Sequence, residues 1–510
     1  MSETQKDGAL EILPADEHNL ELIQQVHPPD WQNPDASERY NLVVIGGGTA
    51  GLVSAAGAAG LGAKVALVEK AFLGGDCLNF GCVPSKAVIR AARAWQDARS
   101  GAPFGAPQAS GSGDFPQAME RMRRLRAAIG HHDGARRFRD LGVDIFLGEG
   151  RFVASDAVTV RGQRLIFRRA VIATGARALV PPIPGLAETG FLTNESVFSL
   201  TALPPSLVVV GGGPIGCELA QAFARFGAAV TVVDMAPQIL PREDPDAAAV
   251  IRQALERDGI RFVLGAKVVG VEARGEGKAV LVETEDGGQA VEGSEILLAI
   301  GRSANVEGLG LEAAGVGYDR KGVVVDDTLR TSNRRIFAAG DVASRFQFTH
   351  TADAQARIVL RNALFPLGFK RTSRLVVPWA TYTSPEIAHV GLTAEEAKER
   401  GSKVETLTVP LEETDRAQLD GQTEGFLRLF LASGSDKILG ATLVAEHAGE
   451  MISELTLAIT NGLGLGHIAR TIHPYPTQAE VIKKAADTWY RRKLTPSKRS
   501  WLKRYFRWRR

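Results

Sequence analysis

One pattern occurs twice in this chain, and it narrows the fold more than anything else in the sequence. The apolar run Asn41–Ile45 leads into Gly46-Gly47-Gly48-Thr49-Ala50-Gly51, then an Ala-rich stretch, then a second run, Lys64–Glu69. The run Leu207–Val210 leads in the same way into Gly211-Gly212-Gly213-Pro214-Ile215-Gly216, an apolar helical stretch and Ala229–Asp234, 165 residues later. Each copy predicts a strand, a tight turn, a helix and a parallel strand. Gly46 and Gly211 permit the turn, Gly48 and Gly213 let backbone approach a pyrophosphate, and Gly51 and Gly216 let the helix lie on the strand. Unpaired N–H groups at the helix start would then face the phosphates. Glu69 and Asp234 each stand 23 residues after the first glycine of their unit. A carboxylate at that distance bonds a ribose hydroxyl. A lone G-x-G-x-x-G arises by chance, but one with its strand, helix and acid in place is specific. Two dinucleotides on one chain imply electron transfer between them, most simply from nicotinamide to flavin. FAD and either NADH or NADPH are therefore the expected cofactors. No Arg flanks Asp234 directly, and a carboxylate there repels a 2′-phosphate, which favours NADH.

The second informative segment is Gly74-Gly75-Asp76-Cys77-Leu78-Asn79-Phe80-Gly81-Cys82-Val83-Pro84-Ser85-Lys86. Cysteines this close can form a small disulfide ring. As a staple it would contribute only about 2 kcal/mol, because the loop is short. Zinc is the other alternative, but no second Cys or His pair stands nearby, and no metal site is expected. The chain has only 3 cysteines in 510 residues, so a redox role explains the pair better. Pro84 suits the first turn of a following helix, where Cys82 would have its thiolate stabilised and Lys86 would add positive charge. Cys217 reads as a small core residue.

A chain of this length exceeds one hydrophobic core, so several domains are expected. The sparse cysteines exclude a secreted disulfide scaffold. Residues 1–38 read as a polar extension without the features of a signal peptide, which points to the cytoplasm. The two repeated units and the runs around them suggest an α/β chain with two Rossmann-like dinucleotide-binding domains. On the resemblance set out below, 39–188 and 300–374 would together form the FAD-binding domain, with the NAD(P)-binding domain at 189–299 between them. Residues 375–490 lack a glycine turn and read as a third, α+β domain. The last twenty residues, 491–510, carry ten of the 60 Lys/Arg and none of the 58 Asp/Glu. On a helix Trp501, Leu502, Tyr505 and Phe506 share one face. Such a tail suits either peripheral contact with an anionic membrane at the inner face or a solvated, disordered end. No other basic patch supports nucleic acid binding.

These residues together resemble the pyridine-nucleotide disulfide oxidoreductases, which include dihydrolipoamide dehydrogenase, glutathione reductase and mercuric reductase. The resemblance runs from about residue 40 to 490. It rests on the first glycine turn, the cysteine segment, Ala173-Thr174-Gly175, and Glu218 after the second turn. It continues through Gly301-Arg302-Ser303-Ala304-Asn305, Ala338-Ala339-Gly340-Asp341 and Thr383-Ser384-Pro385-Glu386-Ile387. It implies that Cys77 attacks substrate, that Cys82 lies against the flavin as a charge-transfer thiolate, and that Lys86 sits near the flavin paired with Glu218. It implies that Asp341 holds the ribityl chain, and that 375–490 is a dimerisation domain through which a homodimer shares its active sites.

The C-terminal motif departs from the family. Its disulfide reductases place a His five residues before a Glu. Here Tyr475 holds that position before Glu480, and His473 lies two residues earlier. A tyrosine with an ordinary pKa near ~10 is a poor base at neutral pH. Mercuric reductases also carry Tyr there, but they add a C-terminal cysteine pair to capture Hg(II), and no cysteine follows Cys217. The resemblance therefore implies a mercuric reductase-like reductase passing electrons from NAD(P)H through FAD to Cys77–Cys82, and on to a disulfide, a metal ion or a small acceptor. The alternatives are a dihydrolipoamide dehydrogenase subunit, a quinone-reducing diaphorase and, in another class, a membrane-docked redox sensor.

Overall fold

Strand β1 (Tyr40–Ile45) is buried at every residue but Asn41, as a central parallel strand covered on both faces requires. It pairs in parallel with β2 (Val65–Glu69) on one side, and β2 pairs with β3 (Val143–Leu147). On the other side lies β4 (Gln163–Ile172), also parallel. A second parallel sheet follows in the chain: β5 (Ser206–Val210), β6 (Ala229–Val233), β7 (Arg261–Val263) and β8 (Glu295–Leu298), in the order β7-β6-β5-β8. The chain then returns to the first sheet with β9 (Ile336–Ala338), parallel to β4. The structure, a computed structural model, describes residues 5–6, 9–401 and 403–510. Residues 1–4 and 7–8 of the stretch read as an extension lie outside these.

The carboxyl ends of β1, β4 and β9 lie side by side. They deliver Gly46, Ala173-Thr174-Gly175 and Gly340-Asp341 to one edge of the sheet, where ligands of open parallel sheets bind. A methyl group on Gly46 would stand 2.3 Å from the Ala173 carbonyl oxygen.

Helix α1 (Glu17–Val26) belongs to this unit rather than to a free extension. Its Leu22 and Val26 are fully buried, and their apolar area is reason enough for the segment to fold back. Helices α2 (Thr49–Gly60), α3 (Gly75–Asn79), α4 (Cys82–Arg99) and α5 (Phe115–Gly130) follow. Helix α5, rich in basic residues, ends at Gly130 ahead of a short helix at Ala135–Asp140. Two of its basic residues, Arg123 and Arg126, point inward and are buried. Helix α6 (Pro214–Phe226) starts from the second glycine turn, and α7 (Thr349–Leu364) packs on α2, where Gly57 leaves room for Leu360. Phe115 on α5 meets Phe223 and Phe226 on α6 at ring separations of 5.3 and 5.5 Å. That contact ties the helices of the two sheets together.

The second unit comprises Gln238–Asp258 and Val376–Arg510. Its antiparallel sheet runs β10-β11-β14-β13-β12, with β10 (Pro378–Thr381), β11 (Glu386–Gly391), β12 (Val404–Pro410), β13 (Phe426–Ala432) and β14 (Ile438–Ala445). Helices α8 (Ala448–Thr460) and α9 (Glu480–Arg492) share its core through Leu455, Ile482 and Trp489. The helix Pro245–Arg257, assigned from sequence to the 189–299 domain, packs here instead. Arg428 of β13 bonds Asp244 at 2.7 Å and Asp246 at 2.8 Å, and Trp379 donates to Glu243 at 2.7 Å. The tail forms α10 (Pro496–Trp508), capped by the Thr495 side chain, with no buried residue.

Phe115→Ala removes a fully buried ring from the α5–α6 contact. The expected cost is about 3–5 kcal/mol, read as a lower urea midpoint for the first unfolding transition.

Candidate active site

The two glycine turns are near copies in space. Gly46 and Gly211 have φ of +106° and +114°, a region closed to side chains with a Cβ. A methyl group on Gly51 would stand 1.8 Å from the Gly46 oxygen, and one on Gly216 1.9 Å from the Gly211 oxygen. Above the turns there is room: Gly48 faces only Gly75 Cα, at 3.7 Å, and Gly213 faces nothing within 4 Å. The open N-termini of α2 and α6 therefore suit a pyrophosphate each. Glu69 accepts from Gly47 and Ala71 N–H groups at 2.6 Å each. Burial pushes its carboxyl up, against those donors. In the second turn Asp234 accepts a matching pair of hydrogen bonds, from Gly212 at 2.6 Å and Ala236 at 2.7 Å. Both carboxylates stand beside the glycines, as a ribose-binding acid must. The residues present thus fit a dinucleotide at each turn.

The cysteine pair lies next to the first turn. A methyl group on Gly75 would meet Gly48 Cα at 2.6 Å, so the redox segment can approach the turn only with glycine there. Cys77 lies on α3, half-buried, and Cys82 is the first residue of α4, exposed. Both thiols are free, and each shifts the ionisation of the other. Cys82 Sγ also stands 3.4 Å from Thr349 Oγ1 at the start of α7. The Cys77 thiol, donating to Cys82, pulls Cys82 well below the ordinary thiol range. Burial opposes this; the Thr349 hydroxyl and the Lys86 charge add to it, and Asp76 works against it. The same hydrogen bond pushes Cys77 up, with burial adding. The coupling therefore favours the proton on Cys77 and the negative charge on Cys82.

Lys86, one turn beyond Cys82 on α4, bonds Glu218 of α6 at 2.6 Å. Glu218 is buried, so the pair is desolvated on one side. Cys217, its neighbour, is fully buried and donates to the Gly212 carbonyl at 3.3 Å. Burial pushes that thiol up, which leaves it inert.

The sequence motifs named Arg302 and Asp341 but not Asn194, and the structure gathers all three around the loop through Asp76. Asp76 accepts from Asn194 at 2.8 Å and from Arg302 at 2.9 Å. Arg302 also donates to Ala176 O at 2.7 Å and lies 3.5 Å from Asp341. Burial pushes the Asp341 carboxyl up, with Arg302 opposing. Thr174 and Asn305 exchange hydrogen bonds of 2.7 and 2.9 Å, which laces Ala173-Thr174-Gly175 to the Gly301-Arg302 segment. Thr349 and Asn194 carry no local sequence signal, because each reaches the site from a distant element.

In the second unit, His473 does not meet Glu480. Its Nε2 lies 3.0 Å from Glu454 of α8, and its Nδ1 3.2 Å from the Thr471 carbonyl. Tyr475 is exposed and donates to Asp415 at 3.0 Å, a bond that raises its hydroxyl further above the usual range. Glu480 starts α9 with a buried oxygen that has no partner.

Residues 40–356 match the family described as pyridine nucleotide-disulphide oxidoreductase, and 377–486 match the dimerisation domain of that family. The chain is 37% identical over 457 residues to a mercuric reductase of Bacillus cereus, covering 89% of this chain and 72% of that protein. It is 34% identical over 470 residues to a dihydrolipoyl dehydrogenase of Bacillus subtilis, covering 88% and 97%. Among solved structures it is similar to the Cu(II) complex of the HOCl-induced flavoprotein disulfide reductase RclA of Escherichia coli. The TM-score is 0.79 and the identity 29%, over 89% of this chain and all of that one.

Cys82 is an acid whose value the fold depresses. Its thiolate, and the stability that goes with it, are complete above the ordinary thiol value of ~8.5 and are lost as pH falls through the lowered value. Thr349→Val removes one donor. It should move the midpoint of the alkylation-rate profile of Cys82 up by about one pH unit, while Thr349→Ser leaves it in place.

Proposed function

We propose, from the premise that this chain belongs to the pyridine nucleotide-disulphide oxidoreductase family, that it is an NADH-preferring flavoprotein reductase acting through Cys77 and Cys82. The family is FAD- and NAD(P)H-dependent. Bound at the two turns, the cofactors would supply the hydride equivalent that reduces the disulfide. The observation that carries the reading is the cysteine pair placed beside the first glycine turn, with Thr349 Oγ1 3.4 Å from Cys82 Sγ and Lys86 one turn along α4. Gly46, Gly48, Gly51, Glu69 and Asp341 would hold FAD, with Thr174, Gly175, Gly301, Arg302 and Gly340 shaping its pocket. Gly211, Gly213, Gly216 and Asp234 would hold the nicotinamide dinucleotide. Cys82 would keep its charge toward the flavin ring, and Cys77 would meet the acceptor.

The acceptor we favour is a soft metal ion or a small electrophile, ahead of a dithiol such as dihydrolipoamide. Tyr475 occupies the place of the family's general base, with its proton held more tightly than usual. His473 is engaged by Glu454 instead. Among the described residues no cluster of three His, Cys, Asp or Glu could hold a metal, so a metal acceptor would be bound by the cysteine pair itself. The solved relative in complex with Cu(II) supports this class of acceptor. The dimerisation domain suggests a homodimer, in which Tyr475 and His473 would reach the partner's cysteine pair. No helix among the described residues is long and apolar enough to cross a membrane. Contact of 491–510 with an anionic membrane would rest on its cations and on exposed Trp501, Phe506 and Trp508.

Anaerobic titration with NADH should give a long-wavelength charge-transfer band at two-electron reduction. Cys77→Ser should abolish turnover of thiol-dependent acceptors while direct quinone reduction survives; loss of neither would refute the thiol route and favour the diaphorase reading. Fast dihydrolipoamide turnover would shift the assignment to the dehydrogenase. Asp234→Asn should cut the NADH-over-NADPH ratio of kcat/KM by about tenfold or more, a change of about 1.4 kcal/mol.

A further inference from the structure

The chain ahead of residue 40 precedes the stretch matched to the family, yet it is built into the redox site. Helix α1 is capped by Asp16, whose side chain accepts from Asn19 N–H at 2.9 Å and pairs with Arg123 of α5. Asn19 is fully buried. Its amide donates to the Pro14 carbonyl at 2.7 Å, and its Oδ1 accepts from Arg126 Nη2 at 2.6 Å. Arg126 is almost fully buried on α5. Its Nη1 donates to the backbone carbonyl of Asn79 at 2.6 Å.

Asn79 is the last residue of α3 and lies between Cys77 and Cys82 in the chain. A carbonyl at a helix end has no partner within the helix, and Arg126 supplies one. The Asn79 amide completes the brace from within, donating to Leu73 O at 3.1 Å and Gly75 O at 2.8 Å. The guanidinium is itself expensive to bury. Burial and the neighbouring Arg123 bring Arg126 down to about 10, and Asp16 is the opposing negative charge. Both the acceptor that orients Arg126 and the carboxylate that offsets it therefore come from α1 and its cap. Further along, Asn33 brackets Leu147 of β3, accepting from its N–H at 2.8 Å and donating to its carbonyl at 3.1 Å. Trp31 donates to Ile145 O on the same strand at 3.2 Å. These bonds anchor the far end of the segment along the sheet edge.

We infer that residues 14–33 are a strap that positions the redox loop, with Asn19 and Asp16 as positioning residues that hold Arg126 against the carbonyl between the two cysteines. The inference rests on the proposed role of Cys77 and Cys82. Slackening the strap lets the end of α3 drift, and with it Cys77, the neighbour that lowers Cys82. The charged groups around Cys82, namely Lys86, Asp76 and Arg302, lie outside the strap and are left in place.

The test uses the full chain with Asn19→Ala, which removes the acceptor for Arg126, and Asn19→Asp, which restores one. Two readouts are taken against pH: the alkylation rate of the cysteine pair, and the charge-transfer band of the NADH-reduced enzyme. Flavin content and thermal midpoint are measured alongside. Asn19→Ala should raise the alkylation midpoint by about one pH unit, so that below it the rate falls about tenfold, and Asn19→Asp should return it toward the original. A lowered thermal midpoint with both pH profiles unmoved would overturn the inference and leave the strap a stabilising element alone. Absence of the charge-transfer band from the unsubstituted enzyme would instead count against the proposed thiol–flavin function, and the alkylation profile would still decide the strap.

Discussion

A single shared proton organises this site. Cys77 and Cys82 are coupled in their ionisation, which favours the charge on Cys82 and the proton on Cys77. A thiolate so placed must be supported without being neutralised, and the structure does this with weak, distributed donors. Cys82 opens α4, where backbone N–H groups are unpaired. The hydroxyl of Thr349 approaches from the opening of α7. Lys86 would be the strongest single cation nearby, but it is engaged with Glu218 at 2.6 Å. Its charge therefore reaches the sulfur attenuated. Asp76 sits close enough to oppose the thiolate, and its own charge is met by Arg302 and Asn194. The balance leaves a sulfur that is ionised yet still able to form a bond with its partner.

That balance requires a rigid loop, because hydrogen bonds to sulfur depend on position within a few tenths of an ångström. The loop is short and approaches the first glycine turn closely at Gly75. It is pinned on one side through Asp76 and on the other through Asn79. The pinning groups come from well-separated parts of the chain: Asn194 and Arg302 on one side, Arg126 and the α1 segment on the other. Removing a brace should thus alter the chemistry of the pair before it unfolds the domain.

Much of this was legible in the sequence where local rules govern. The two glycine turns and their acids appear where strand, turn and helix chemistry require them, and Cys82 falls at a helix start because Pro84 and the apolar face of α4 demand one. What escaped detection depends on packing between distant segments. Arg123 and Arg126 look like solvent-facing cations on a basic helix, and only the partners brought by α1 make their burial tolerable. The polar composition of residues 1–38 suggests an extension. Its Asp16, Asn19 and Asn33 are polar because they serve buried partners. Likewise the helix Pro245–Arg257 sits between two strands of the second parallel sheet in sequence, but its acidic N-terminus is claimed by Arg428.

The C-terminal motif shows why a position in a motif is not a role. Five residues before Glu480 stands Tyr475, whose hydroxyl donates to Asp415 and is thereby made less acidic. His473 is close in sequence, yet its ring is oriented by Glu454 and the Thr471 carbonyl. A His–Glu pair survives, then, with a different glutamate and a shifted histidine. A base that must take a proton from a dithiol needs a position within hydrogen-bond reach of it. A metal ion or small electrophile makes no such demand, since it arrives without a proton to remove. The displacement of His473 and the tightened proton of Tyr475 are both tolerable for an acceptor of that kind, and both would be costly for a dithiol substrate.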